Sequence, residues 1–102
     1  MVRVEFSGEV WHWRGPAPYV FVTVPEDASA EIQEVAREVT YGWGMIPVRA
    51  RIGDTRWATA LFAKDGRYVV PLKDAVRHAE GIDLGDTVTV WLDVRDDLGR
   101  FR

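Results

Sequence analysis

The chain has 102 residues, a formal net charge of −3 and no cysteine. This length suits one domain that buries its core without disulfides, and the lack of cysteine excludes thiol chemistry and Cys-based metal sites. A mildly acidic chain lacks the basic field of a general nucleic-acid binder, and no apolar run approaches the roughly 20 residues that span a bilayer. The opening MVRVEF also lacks the apolar stretch of a signal peptide. We therefore expect a cytoplasmic protein that does not associate with membranes.

The first two predicted elements form a hairpin. Val2–Trp13 alternates between faces, with apolar residues on one of them, which is the pattern of a strand with one buried face. Gly8 in the middle of this strand is a candidate bulge or bend, as a small, strongly curved barrel requires. The loop Arg14–Pro18 contains two prolines and a glycine, and Tyr19–Val24 is predicted to return as the second strand.

A helix is predicted over Ala30–Val39, with Asp27 or Ser29 as its N-cap. Its apolar stripe of helical period consists of Ile32, Val35, Ala36 and Val39. The next segment, Thr40–Gly44, contains a Gly-x-Gly. A phosphate-binding loop leads from a strand into a helix N-terminus, whereas this segment leads from a helix into a strand. We therefore expect an ordinary loop here, with Trp43 covering the core.

The next two predicted strands, Met45–Ile52 and Thr55–Lys64, form a second hairpin. The first of them alternates apolar residues with Pro47, Arg49 and Arg51. Gly53-Asp54 supplies the tight turn between the two strands, and Asp65-Gly66 is a second tight-turn signal after them.

The stretch Gly66–Val94 is predicted to contain a strand, a short helix, a turn and a strand. Tyr68–Val70 has the β-branched and aromatic residues of a strand, which Pro71 ends. A helix is predicted over Lys73–Glu80, and Gly81 stops it. The apolar side of this helix would consist of Ala75, Val76 and Ala79. After a turn at Gly85-Asp86, the residues Val88, Val90, Leu92 and Val94 alternate with more polar ones, the pattern of a half-buried strand.

The order strand, strand, helix, strand therefore occurs twice. Val24-Pro25 leads into the first helix in the way that Val70-Pro71 leads into the second. Neither half could close its hydrophobic face or protect its strand edges alone. We predict a mainly β fold: a closed, mostly antiparallel six-stranded barrel with two short helices and an internal pseudo-twofold. The predicted barrel domain spans residues 1–96, and residues 97–102 form a polar tail.

Several motifs resemble a known family. They are Gly42–Val48, Ile52-Gly53, Leu61-Phe62, Val70–Lys73 with Ala75–Arg77, and Gly85–Val88. Together they are similar to a bacterial domain-of-unknown-function family, numbered 1905, which occurs alone or ahead of a YdeI/OmpD-associated domain. The resemblance covers nearly the whole chain and implies a double-split β-barrel, without an established activity, ligand or catalytic residue. A serine and a proline of the family pattern are replaced here by Ala60 and Ala63, so no role of that hydroxyl carries over.

The same architecture occurs in transcription factors of the AbrB/MazE type. Their half-barrel is similar to Val70–Arg77 followed by Gly81-Ile82 and Gly85–Val88. Those proteins pair two chains, whereas this chain contains both halves. A shared fold does not transfer DNA binding.

Catalytic and metal chemistry is not predicted. His12 and His78 are far apart in sequence, and a zinc site needs three or four ligands. Ser7 falls on a strand and Ser29 at a helix start, so neither is placed as a nucleophile beside a histidine. We predict no catalytic residue, no metal and no cofactor.

The candidate binding residues are Arg49, Arg51, Arg56, Trp11 and Trp13. The three arginines are predicted to share an outer face, and guanidinium forks suit phosphate or carboxylate. The two tryptophans share a face of the first strand and could stack on a base or a sugar. In a purely structural interpretation, Glu5, Glu9 or Asp93 would neutralise the arginines and the tryptophans would be packed.

Three classes of function remain open from the sequence. The leading hypothesis is a non-enzymatic barrel module that binds an unidentified small ligand or protein. The alternative is nucleic-acid binding through the arginine and tryptophan face, and an enzyme of unknown type is third. A chain that supplies both halves of a barrel is expected to be a monomer, or a dimer formed through a strand edge.

Overall fold

The computed structural model of the chain describes residues 2–14, 19–39 and 45–94. In chain order the elements are β1 (Val2–Trp13), β2 (Tyr19–Thr23), α1 (Glu26–Val39), β3 (Ile46–Ile52), β4 (Thr55–Lys64), β5 (Arg67–Pro71), α2 (Asp74–Glu80) and β6 (Thr87–Val94). The predicted loop over Thr40–Gly44, including Trp43, and the predicted tail lie outside the described residues.

The six strands form a closed antiparallel barrel, which confirms the predicted architecture, and their order around the barrel is β1-β2-β5-β4-β3-β6. Strand β1 belongs to both sides of the barrel, because it pairs with β6 as far as Glu9 and with β2 from Val10 onward. Gly8 lies just before this change of partner. A Cβ at that position would lie 2.8 Å from Cγ1 of Val22, so only glycine allows the two strands to approach so closely.

The core of the barrel consists of the inward positions of the alternating strands. On β3 and β6 the buried residues are Ile46, Val48, Ala50, Ile52, Val88, Val90, Leu92 and Val94. These are the positions that the period of two predicts. Burying a valine, leucine or isoleucine side chain contributes about 1.5–3 kcal/mol, so this alternation fixes which face of each strand points to solvent.

The predicted internal pseudo-twofold is visible in the strand order and in the hydrogen bonds. Exchanging β1 with β4, β2 with β5 and β3 with β6 leaves the order around the barrel unchanged. The Val24 N–H donates to the Tyr68 carbonyl and the Leu72 N–H donates to the Val20 carbonyl, both at 2.8 Å. Equivalent residues here are 48 apart (72 − 24 and 68 − 20). Val24 therefore corresponds to Leu72 and not to Val70, so the predicted alignment of the two Val-Pro pairs is wrong by two residues.

Helix α1 begins at Glu26, four residues before the predicted start, so Asp27 and Ser29 lie inside its first turn. The two acids of that turn favour it through the helix dipole. Ser29 is buried; its hydroxyl donates to the Val24 carbonyl at 3.1 Å and accepts the Tyr68 N–H at 3.3 Å. This serine therefore joins the helix to β5 instead of capping it. Burial also raises the pKa of the Tyr68 phenol.

Helix α2 has seven residues and ends at Gly81, whose φ of 62° is left-handed. Of its predicted apolar side only Val76 is buried, because so short a helix turns a single position fully toward the barrel. Glu80 at its end accepts a 2.5 Å hydrogen bond from the Thr55 hydroxyl of β4. Neither described helix is long and apolar enough to cross a membrane.

Candidate ligand-binding groove

One outward-facing row of side chains crosses four neighbouring strands of the barrel. Glu5 on β1 lies opposite Trp91 on β6. Trp91 lies opposite Arg51 on β3, and Arg51 lies opposite Arg56 on β4. The neighbours of these residues along β1, β3 and β6 are buried, so the alternation of each strand points the row out of the barrel. We call Glu5, Trp91, Arg51 and Arg56 the charged row.

A second row runs beside the charged row on the same four strands and consists of Arg3, Asp93, Arg49 and Ala58. Asp93 lies between Arg3 and Arg49, and Nε of Arg3 is 4.0 Å from Oδ2 of Asp93. Opposite charges on adjacent strands attract. The second row therefore has a formal charge of +1, with its one acid between its two arginines.

The two rows line a groove of about 640 Å³. This volume falls within the range of about 300–1,000 Å³ that is typical of small-molecule sites. Trp57 of β4 also contributes to the lining, so the groove combines four arginines, two acids and two tryptophans. Its formal charge is +2 (four minus two) in a chain whose net charge is −3. Positive charge is therefore concentrated in the groove.

Arg51 is held in place by two contacts. Its Cζ lies 3.9 Å from the ring centroid of Trp91, a cation–π contact. Its Nη1 donates to the Gly53 carbonyl at 2.7 Å. A guanidinium has five N–H donors, so most of the hydrogen-bonding capacity of Arg51 remains for another acceptor. Arg51 is thus a pre-oriented donor at the centre of the groove.

Arg56 places a second positive charge directly opposite Arg51. Like charges in this cross-strand position repel each other. Within residues 2–14, 19–39 and 45–94, no acid forms an ion pair with Arg49, Arg51 or Arg56. An anion between Arg51 and Arg56 would relieve their repulsion.

Glu5, Glu9 and Asp93 are the acids that the sequence suggested as neutralising partners, and none of them lies opposite Arg51 or Arg56. Glu5 stands at the opposite end of the charged row from Arg56. Glu9 lies opposite Thr87, and neither of these two residues lines the groove. Asp93 belongs to the second row and lies opposite Arg3 and Arg49. Arg49 thus has an acid directly opposite it, whereas neither Arg51 nor Arg56 lies opposite an acid among the described residues.

Trp11 and Trp13 do not line the groove. They lie opposite Phe21 and Tyr19, because β1 has left β6 and pairs with β2 from Val10 onward. The indole N–H of Trp11 donates to the Thr23 hydroxyl at 2.9 Å. The structure therefore brings together the three predicted arginines and places the two predicted tryptophans in a different site.

These two tryptophans belong to an aromatic surface on β1, β2 and β4. Its members are Trp11, Trp13, Tyr19, Phe21 and Phe62, linked by ring-centroid distances of 5.3–6.5 Å. Phe21 is buried under its neighbours, whereas Trp13 and Tyr19 remain 39% and 44% exposed. Nζ of Lys64 lies 5.6 Å from the Trp13 ring. The sequence prediction of a single arginine–tryptophan face is therefore replaced by two separate surfaces.

The groove residues that the sequence did not indicate include Arg3, Trp57 and Trp91. Trp91 occupies an outward position of the β6 alternation, and that position could be read from the sequence. Its contact with Arg51 depends on the register between β3 and β6, which are about 40 residues apart in the chain. No local pattern encodes that register.

The described part of the chain contains no group of three or more His, Cys, Asp or Glu residues arranged to hold a metal ion. His12 and His78 are both exposed and lie on different elements.

Comparison with protein families matches residues 6–92 to the family described as domain of unknown function (DUF1905). The matched segment includes Trp91, Arg51 and Arg56 and begins one residue after Glu5. A search of curated proteins finds no match to the chain.

Proposed function

The chain belongs to the family described as domain of unknown function (DUF1905), a description that gives no activity, and we therefore propose a function from the residues of the groove. The protein is a non-enzymatic binding module that holds a small anionic ligand between Arg51 and Arg56. The observation that carries this proposal is the direct cross-strand opposition of two arginines that have no acidic partner among the described residues.

Arginine suits this role because of its geometry. The planar guanidinium presents parallel N–H groups that match the oxygens of a phosphate or a carboxylate. Arg51 is already oriented by Trp91 and by the Gly53 carbonyl, so less side-chain entropy is lost when it binds an anion. The groove volume of about 640 Å³ lies within the range of small-molecule sites.

Nucleic-acid binding, the alternative from the sequence, receives less support. It relied on stacking by Trp11 and Trp13 next to the arginines, and these residues lie outside the groove. The groove also contains Glu5 and Asp93. A polynucleotide backbone that followed the groove would bring its phosphates against these carboxylates, whereas a small anion could avoid them.

Calorimetric titration with phenyl phosphate at low ionic strength tests the proposal. We expect saturable binding that Arg56→Gln weakens by about tenfold or more, because hydrogen bonds to charged groups contribute about 1.5–3 kcal/mol. Arg67→Gln is the matched control: Arg67 is a half-exposed arginine of β5 paired with Glu26 and lies outside the groove. It should leave the affinity unchanged.

Two results would contradict this function. One is the absence of phenyl phosphate binding at every ligand concentration that is tested. The other is binding that Arg56→Gln and Arg67→Gln weaken equally, which would indicate a general charge effect. A parallel titration with a labelled single-stranded oligonucleotide addresses the alternative, because tight binding with a steep salt dependence would favour nucleic acid over a small anion.

A further inference from the structure

Charge is distributed unevenly along the charged row, with an acid at one end and two adjacent arginines at the other. On the basis of the anion-binding function above, we propose that the ligand is a zwitterion. Its anionic group binds Arg51 and Arg56, its amine binds Glu5, and a flat apolar segment between them lies over the Arg51–Trp91 pair.

The register of the strands gives the separation of the two ends. Adjacent strands are about 4.8 Å apart. The backbone positions of Glu5 and Arg51 are separated by two such spacings, about 10 Å, and those of Glu5 and Arg56 by three, about 14 Å. A ligand that spans the row is therefore about as long as a single aromatic ring with a short substituent at each end.

Glu5 is suited to bind a cation. It is exposed, and among the described residues no arginine, lysine or histidine forms an ion pair with it. An ionised carboxylate only accepts hydrogen bonds, so an ammonium group is a complementary partner and a second phosphate is not. In the second row, by contrast, Asp93 already lies between two arginines. Of the two acids in the groove, Glu5 is thus the one that has no arginine directly opposite it.

The centre of the charged row suits a flat ring. The Arg51 guanidinium lies over the Trp91 indole, with its Cζ 3.9 Å from the ring centroid. A guanidinium presents a planar surface on which an aromatic ring stacks. An arylalkylamine that carries a phosphate or a carboxylate combines the three features that the row requires.

The probes for this inference are phenyl phosphate, tyramine phosphate and tyramine. Tyramine phosphate adds only an aminoethyl group to phenyl phosphate. We expect it to bind about fivefold more tightly, the size of one partly exposed ion pair. Tyramine, which lacks the anionic group, should bind more weakly than either phosphate.

Glu5→Gln should remove the advantage of tyramine phosphate and leave the affinity for phenyl phosphate unchanged. Glu9→Gln is the matched control, because Glu9 is an exposed acid on the same strand but outside the groove. It should preserve the advantage. Arg56→Gln should weaken the binding of both phenyl phosphate and tyramine phosphate.

The outcomes separate the two proposals. If phenyl phosphate binds through Arg56 and the amine adds nothing, or if Glu5→Gln keeps the advantage, the zwitterion proposal is wrong and the anion-binding function stands. Tyramine binding as tightly as tyramine phosphate would also overturn the zwitterion proposal. If none of the three probes binds, both proposals fail.

Discussion

Arg56 lies directly across the β3–β4 pair from Arg51, so the free protein holds two positive charges in one cross-strand position. Such an opposition costs about 0.2–1 kcal/mol. We therefore expect Arg56→Gln to raise the free energy of unfolding by up to about 1 kcal/mol at low ionic strength, in urea titrations without ligand. The gain should shrink as salt is added, because salt screens exposed charges.

The control substitution, Arg67→Gln, should not raise the free energy of unfolding. Arg67→Gln removes an exposed pair in which Nη2 of Arg67 is 3.7 Å from a Glu26 carboxylate oxygen, so it should leave the stability unchanged or lower it slightly. If Arg56→Gln destabilises the free protein instead, Arg56 makes a favourable contact without ligand. An anion between the two arginines would then relieve no repulsion.

Among the elements, the turn between β3 and β4 contacts both the end of helix α2 and the Arg51 side chain. Gly53 and Gly66 are both turn glycines with positive φ, 57° and 79°. A Cβ on Gly66 would meet nothing within 4 Å, whereas a Cβ on Gly53 would collide with the carboxylate of Glu80. That carboxylate also accepts the hydrogen bond from Thr55. The turn therefore packs against the end of α2 and carries the carbonyl that holds Arg51.

This difference gives a prediction for two alanine substitutions. Gly66→Ala should lower the free energy of unfolding by about 1–2 kcal/mol, the cost of a left-handed conformation for a residue with a Cβ. Gly53→Ala should cost more, because it must also displace Glu80 from Thr55. In a Glu80→Ala background the excess should disappear, which a double-mutant cycle measures. Equal costs for the two glycines in the wild-type background would show that Glu80 does not constrain the turn.

The elements also show which features the sequence could predict. The bounds of β4 and the buried faces of β3 and β6 were predicted correctly, because the period of two and the turn glycines are local signals. The start of α1 was missed, because its first turn is polar apart from Ala28 and shows no apolar stripe. The groove was predicted only on its β3–β4 side. Its other half depends on pairing with β6 and β1, and no sequence pattern specifies that register.

At the scale of the whole molecule, the strand order places the two distinctive surfaces on different sides of the barrel. The β3–β6 pair lies at the centre of the groove, and the β2–β5 pair is opposite it in the ring of six strands. The aromatic surface includes residues of β2, and the groove includes none. A single prediction that joined Arg49, Arg51 and Arg56 to Trp11 and Trp13 could therefore not hold.

Closure of the ring makes the two halves of the chain depend on each other. β3 pairs only with β4 and β6, both of which come from the second half. β6 pairs with β3 and with β1, both from the first half. Neither half of the described chain therefore contains all the partners of its own strands. Every described strand also has a neighbour on both sides, so the ring offers no unpaired strand to a second copy.

We therefore expect a monomer that unfolds in one cooperative transition. Sedimentation equilibrium should give a single species of about 11.6 kDa. The urea midpoint should not change with protein concentration, because only a dimer that dissociates on unfolding is stabilised by mass action. Fluorescence, which reports on the tryptophans of both surfaces, and far-ultraviolet circular dichroism should give the same transition. A midpoint that rises with concentration would establish that a second copy contributes to the fold, and separate transitions would show that the halves fold independently.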